Sequence, residues 1–393
     1  MHKTIRNYSS PRRQVVIAIV CSILFLGFSF AYLYGMQGEL MRCLYYNVFG
    51  VDTYSPFWGA FAITLALWGG RWLLDRVLHF GSIGLAFSYF PAYWALAFLT
   101  CVFPFETGET TSLRWSSWWW LFPLALIIYL FIGFVYRYRR VAGTARKSLV
   151  EALIPNLIIL ILYSLVTGSV GNCNELLHNK LLVAQCIREQ RYEEALLVGK
   201  KSLHNTHSLT TLRALALSYT GKLGESLFEY PQSSKSNGLF FPKGMVDVCR
   251  FTDEDIELRL GGISREKDES IVSYLSRMCE SDSTVDSPAL DYYLCALLLE
   301  RELQRFHQTL LSYWPLGKTL PRHYQEALLV YLQLTGEISP LASLCTPSVK
   351  ERYDGFCQLQ AEYELPLHQN NYTRRKYGDT YWWYYCYGGQ LGE

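Results

Sequence analysis

Five apolar stretches crowd the first 171 residues, at 15–35, 57–74, 82–103, 117–136 and 149–170, and the basic residues between them fall almost entirely on alternate sides. Each stretch has the roughly 17–25 residues that a helix needs to cross a hydrocarbon core. Inside a bilayer the backbone finds no water to bond, so a single stretch of this kind satisfies itself only as a helix. The sequence therefore predicts an all-α chain: a five-helix transmembrane bundle over 1–171, then a soluble domain over 172–393.

The loop charges give the orientation. Lys3, Arg6, Arg12 and Arg13 precede the first stretch, Arg71 and Arg76 follow the second, and Arg137, Arg139, Arg140, Arg146 and Lys147 follow the fourth. The two opposite connections hold only Arg42 and Arg114, a bias of 11 to 2. Lys and Arg gather on the cytoplasmic side of short loops. The N-terminus is thus expected in the cytoplasm and, after five crossings, the second half in the periplasm, with the chain in a bacterial inner membrane. The first stretch is too long for a signal-peptide core and no small-x-small site closes it, so it reads as a signal anchor. The second stretch is the weakest, and Arg71 is expected to snorkel to the membrane edge and pair with Asp75 one turn on. Trp115, Trp118, Trp119 and Trp120, with Arg137, Arg139 and Arg140 at the opposite end of the fourth stretch, read as membrane-interface residues in contact with lipid. Pro91 and Pro123 fall inside the third and fourth stretches as tolerated kinks.

Charge excludes several functions. The first 171 residues hold 13 basic and 6 acidic side chains, and the rest 23 basic and 28 acidic. The basic excess belongs to topology, and nothing points to nucleic acid. The cores of stretches one, three, four and five carry no Asp, Glu, Lys, Arg or His. Pumps and ion carriers retain such groups, so transport by this chain alone is not expected. Eleven cysteines occur without any C-x-x-C. Most read as buried thiols, with Cys345–Cys357 as one conceivable bridge.

Beyond residue 172 the apolar period is helical. Leu182, Val183, Cys186 and Ile187 share one face, and Arg191-Tyr192-Glu193-Glu194-Ala195 opens a second helix. A similar pair follows, in which Ser226 lies 31 residues after Ala195. These residues resemble tetratricopeptide repeats over 176–230, although the spacing is short of the 34-residue period of that class. The resemblance implies a helical-repeat α-solenoid whose concave face takes a peptide or protein, with Asn179, Arg213 and Tyr219 as candidate partner-binding residues. Further helices are expected at 266–279, 289–301, 303–314, 323–334 and 348–364. The aromatic segment 377–387 reads equally as a cap on the last helices or as a surface for lipid or a partner.

Leu320-Pro321-Arg322-His323-Tyr324-Gln325-Glu326-Ala327-Leu328 and Gly378-Asp379-Thr380-Tyr381-Trp382 also resemble a family of uncharacterised multi-pass membrane proteins of Bacteroidetes-type bacteria, which supplies no activity. Asp253-Glu254-Asp255-Ile256-Glu257 lacks the glycine and spacing of a calcium loop and suits a helix N-terminus instead. His204 and His207 lie in a turn with no further ligand nearby, so no metal is expected. No catalytic or nucleotide-binding motif is present, so neither a catalytic residue nor a cofactor is expected. The expected function is a membrane-anchored protein-interaction scaffold of the cell envelope. The alternatives are an envelope glycan ligase or polymerase, or a non-catalytic subunit of a transport or secretion complex. Oligomeric state is not legible.

Overall fold

The computed structural model describes residues 11–51, 53–78, 84–107, 110–138, 148–202, 204–243, 247–266, 268–281, 287–315, 318–337 and 339–388. Contacts divide the chain into residues 1–106 with 112–178, and 107–111 with 179–393. The described residues are helical apart from one two-stranded sheet.

The first unit contains α1 (Pro11–Ala31), α2 (Gly38–Phe49), α3 (Pro56–Leu78), α4 (Phe90–Thr100), β1 (Val102–Thr107), β2 (Thr110–Trp115), α5 (Leu121–Tyr138) and α6 (Leu149–Val170). Among the described residues, three helices are long and apolar enough to cross a membrane: Gln14–Met36, Pro56–Val77 and Leu149–Val170. The expectation of five is corrected here. Residues 82–103 do not form one helix: a 3-10 turn at Leu85–Tyr89 precedes α4, and the chain leaves the helix at Cys101 for the β1–β2 hairpin. Residues 117–120 are turn, and the next helix begins at Leu121. Pro91 and Pro123 are not mid-helix kinks. They stand in the first turns of α4 and α5, where a missing N–H costs little.

Hydrogen bonds fix the directions of these helices. At one end of the bundle Tyr32 Oη and Thr100 Oγ1 are 2.8 Å apart, and Asn172 N–H donates to Thr100 O at 2.9 Å. At the other, Ala86 N–H donates to Asn156 Oδ1 at 2.7 Å. So α1, α4 and α6 run the same way. Phe30 meets Phe57 while Trp68 Nε1 donates to Ser22, so α3 runs against α1. Trp94 Nε1 donates to Phe122 O and Tyr129 Oη to Phe87 O, so α5 runs against α4. Ile127, Phe131, Ile132, Phe134 and Leu165 are exposed, an apolar surface of the kind that lipid covers. Arg71 is 5 % exposed, donates from Nε to Ser88 Oγ at 3.0 Å and lies 4.5 Å over the Tyr89 ring. The expected pairing with Asp75 is present, at 3.9 Å.

The second unit begins within α7 (Glu175–Arg188) and continues through α8 (Tyr192–Leu197), α9 (His207–Tyr219), α10 (Leu223–Ser226), α11 (Asp253–Arg259), α12 (Ile271–Ser281), α13 (Pro288–Leu299), α14 (Leu303–Tyr313), α15 (Arg322–Thr335), α16 (Pro347–Ala361), α17 (Pro366–Tyr377) and α18 (Tyr381–Tyr387). The predicted helix pairs are present, but α8 and α10 are truncated to 6 and 4 residues. In a solenoid each unit touches only its neighbours. Here α10 packs on α13 and α15. Gly224 permits that approach, because a Cβ there would lie 2.5 Å from Tyr324 Cζ. The connection after Pro231 is core rather than linker: Leu239, Phe240 and Phe241 are buried, and Thr211 and His207 bond the Phe240 carbonyl. The acidic run opens α11 as expected, with Thr252 and Asp255 forming a capping box.

Candidate functional site

The two segments that carry the second resemblance, 320–328 and 378–382, are direct partners. Pro321 sets the start of α15, and its first two turns project Arg322, His323 and Glu326 along one side. Thr380 caps α18, accepting from Trp383 N–H. Glu326 is completely buried. Its Oε1 accepts from Arg322 Nε at 2.9 Å, and its Oε2 accepts from His323 Nδ1 at 2.8 Å and Tyr381 N–H at 2.6 Å. Phe228 N–H donates to His323 Nε2 at 3.2 Å. That nitrogen therefore carries the lone pair, and the ring hydrogen sits on Nδ1, aimed at Glu326. Arg322 extends to Asp379 Oδ2 at 2.8 Å, and Arg352 reaches Asp379 Oδ1 at 2.6 Å. Burial pushes the Asp379 carboxyl up, but the Arg322 hydrogen bond and the charges of Arg322 and Arg352 outweigh it and hold it below the ordinary value.

A His–Glu pair invites a catalytic reading, and the geometry opposes it. Both side chains are sealed, and both imidazole nitrogens are engaged within the protein. The neighbouring cavity between Phe228, Gln232, Trp383 and Tyr384 has room for about one water molecule. The arrangement works as a charged clasp that holds the C-terminal helix in the core. Accordingly Tyr381, Trp382, Trp383, Tyr384 and Tyr387 are buried, packed on Phe228 and Phe356. Of the two readings of segment 377–387, the cap is the one observed.

The sequence-predicted partner residues fall in different settings. Arg213 is 1 % exposed; its Nη2 donates to the Val198 and Gly199 carbonyls at 3.1 Å, and its guanidinium covers the Tyr230 ring. Burial holds its pKa below the ordinary value. Asn179 is half-buried beside Gly199. Tyr219 is 40 % exposed, stacked on Tyr192 at 4.6 Å and covered on its ring by Arg259 at 4.8 Å. Arg259 is held in turn by the Ser218 carbonyl at 3.0 Å. Sequence reasoning did not foresee Tyr192 and Arg259, although the first-turn aromatic of α8 offered a signal.

In the first unit Trp115, Trp118, Trp119 and Trp120 are all at least half exposed, and Trp115 stacks on Phe98. Arg137 lies in the last turn of α5; Arg139 and Arg140 lie outside the described residues. His207 is spent on Phe240, and among the described residues no group of three or more His, Cys, Asp or Glu is placed to hold a metal ion. Cys345 and Cys357 are not bridged to each other. No curated protein and no solved structure matches the chain. One family model does, over residues 4–263 and again over 253–388, and the chain belongs to that family, a family of unknown function (DUF6057).

Proposed function

We propose that the protein is a membrane-anchored interaction scaffold of the cell envelope, whose second unit binds a peptide or protein partner outside the cytosol. The observation that carries the reading is the Tyr192–Tyr219–Arg259 stack, with Tyr219 exposed and its two partners half-buried. Two rigid rings and a guanidinium already held in place present contact area at little entropic cost, and Tyr and Arg are the residue types that dominate binding hot spots. Arg213 and Asn179 serve this surface indirectly by fixing the α8–α9 turn at Gly199, whose φ of +58° suits glycine. The span-length helices supply the anchor, and the exposed tryptophans of 115–120 suit the headgroup layer.

The test is quantitative co-purification of the full chain from membranes, comparing wild type, Tyr219→Ala and an exposed control, Leu334→Ala. A partner lost at least tenfold with Tyr219→Ala and retained with the control supports the reading. Identical recovery from all three sinks it.

A further inference from the structure

Side chains of α16 and α18 meet, and the two helices point the same way. Near their N-terminal ends the Tyr353 and Trp382 rings are 5.1 Å apart. Toward their C-terminal ends Gln360 Nε2 donates to Tyr387 Oη at 2.9 Å. Between these two contacts each helix carries one cysteine. Cys357 follows Tyr353 by four residues, and Cys386 follows Trp382 by four. Residues four apart share a helix face, so the register set by the flanking contacts puts the two thiols opposite each other. Tyr353 is hydrogen-bonded to Cys357, and Gln360 to Cys386. Cys357 is half-buried and Cys386 exposed, so an oxidant can reach the pair. Cys345, the partner expected for Cys357, is instead buried, with its Sγ turned to the Gln325 carbonyl of α15.

We propose that Cys357 and Cys386 are a redox-active dithiol that closes into a disulfide and locks the C-terminal aromatic helix onto α16. The oxidant is a disulfide compound. The Cys386 thiolate attacks one of its sulfurs, forming a mixed disulfide and releasing one thiol. The Cys357 thiolate then attacks the Cys386 sulfur and releases the second. Two protein thiols lose two electrons in all, the donor disulfide gains them, and the two thiol protons leave with its two products. The bond closes a loop of about 30 residues that carries α17, and constraining a loop of that length raises the melting temperature by roughly 5–10 °C. The juxtaposition is a property of the folded chain and needs no partner, while the surrounding redox poise sets whether the bond is closed.

The experiment uses the purified full chain in detergent. It is equilibrated with oxidised glutathione, alkylated with iodoacetamide, digested with trypsin and mapped by mass spectrometry. Cleavage after Arg322, Lys350, Arg352, Arg374 and Lys376 places Cys345, Cys357 and Cys386 on three separate peptides. The expected result is a cross-linked species joining the Cys357 and Cys386 peptides, absent after reduction and absent in Cys386→Ser, with the melting rise confined to the wild type. Recovery of both cysteines as separately alkylated or glutathionylated peptides overturns the proposal. So does a dominant Cys345–Cys357 species. The cross-link and its absence are both read on the wild-type chain, so they stand even where the serine variant fails to fold.

Discussion

Glu326→Gln removes one charge from the centre of the clasp and almost no volume. The carboxylate accepts three hydrogen bonds at 2.6–2.9 Å while completely buried. Glutamine offers one oxygen, and its NH2 must face either Arg322 or the His323 and Tyr381 donors, so at least one donor is left opposite a donor. Hydrogen bonds to charged groups contribute roughly 1.5–3 kcal/mol each, and an unmatched buried donor costs about as much again. Against this stands the relief of not burying a carboxylate. The net expected loss is about 3 kcal/mol. For a unit of 150–250 residues that lowers the melting temperature by roughly 6–12 °C. The assay is thermal unfolding of the full chain in detergent, followed by near-ultraviolet circular dichroism, which reports the packed Tyr and Trp rings of α18. Glu254→Gln, an exposed change on α11, should stay within about 0.5 kcal/mol of wild type. A Glu326→Gln shift no larger than that of the control, with the aromatic signal intact, would refute the clasp.

Gly224→Ala should cost about 2–3 kcal/mol in the same assay, because the new methyl meets the buried Tyr324 ring, which Asp291 holds by a 3.1 Å hydrogen bond; a neutral result would show that α10 and α15 can separate freely. Burial pushes the Asp253 carboxyl up to about 6, against the opposing pull of Arg265. A raised carboxyl pKa means that the folded state holds its proton where the unfolded chain has lost it, so stability should fall as pH rises from about 4 to about 6 and level off above, by an amount on the order of 2–3 kcal/mol. Asp253→Asn should flatten that slope, and denaturant titrations across the window that show the same slope in both proteins would count against the assignment.

Much of the second unit was legible because local chemistry agrees with tertiary structure there. Pro288 begins α13, the acidic run begins α11, and the apolar period places Leu294, Leu297 and Leu298 in the core. What stayed hidden depends on residues far apart in sequence. The aromatic C-terminus has no intrinsic preference between lipid and protein; Phe228 and Phe356 decide it. An arginine on a helix reads as surface, and nothing local to Arg213 announces the carbonyls of Val198 and Gly199 that bury it. The clasp was half visible: Arg322 and Glu326 stand at i, i+4, but their bonds to Asp379 and Tyr381 N–H span more than fifty residues. The span count went astray for a different reason. Hydropathy averages over a window and does not register a backbone break, so the 3-10 turn before Pro91 and the turn at 117–120 disappeared inside apolar runs.

That miscount bears on topology, because basic residues do not distinguish the two arrangements it leaves. With three crossings or with five, the number is odd, and only Arg114 changes side. The hairpin β1–β2 is what differs: it faces the cytosol if α4 and α5 do not cross, and the opposite side if they do. The hydrogen bonds fix the end of the bundle at which the hairpin sits. Asn172, just past the end of α6, donates its side-chain amide to Val102 O at 2.5 Å and its backbone N–H to Thr100 O. The hairpin therefore leaves the bundle at the end where α6 leaves it. A cysteine at Leu113, on β2, should react with a membrane-impermeant maleimide from the same side as the native exposed Cys173. Labelling would be read by mass spectrometry in spheroplasts before and after permeabilisation. If Cys173 labels in intact spheroplasts and the Leu113→Cys thiol waits for permeabilisation, α4 and α5 do not carry the chain across. If Cys173 itself waits, the second unit lies in the cytosol, and the odd crossing number fails with it.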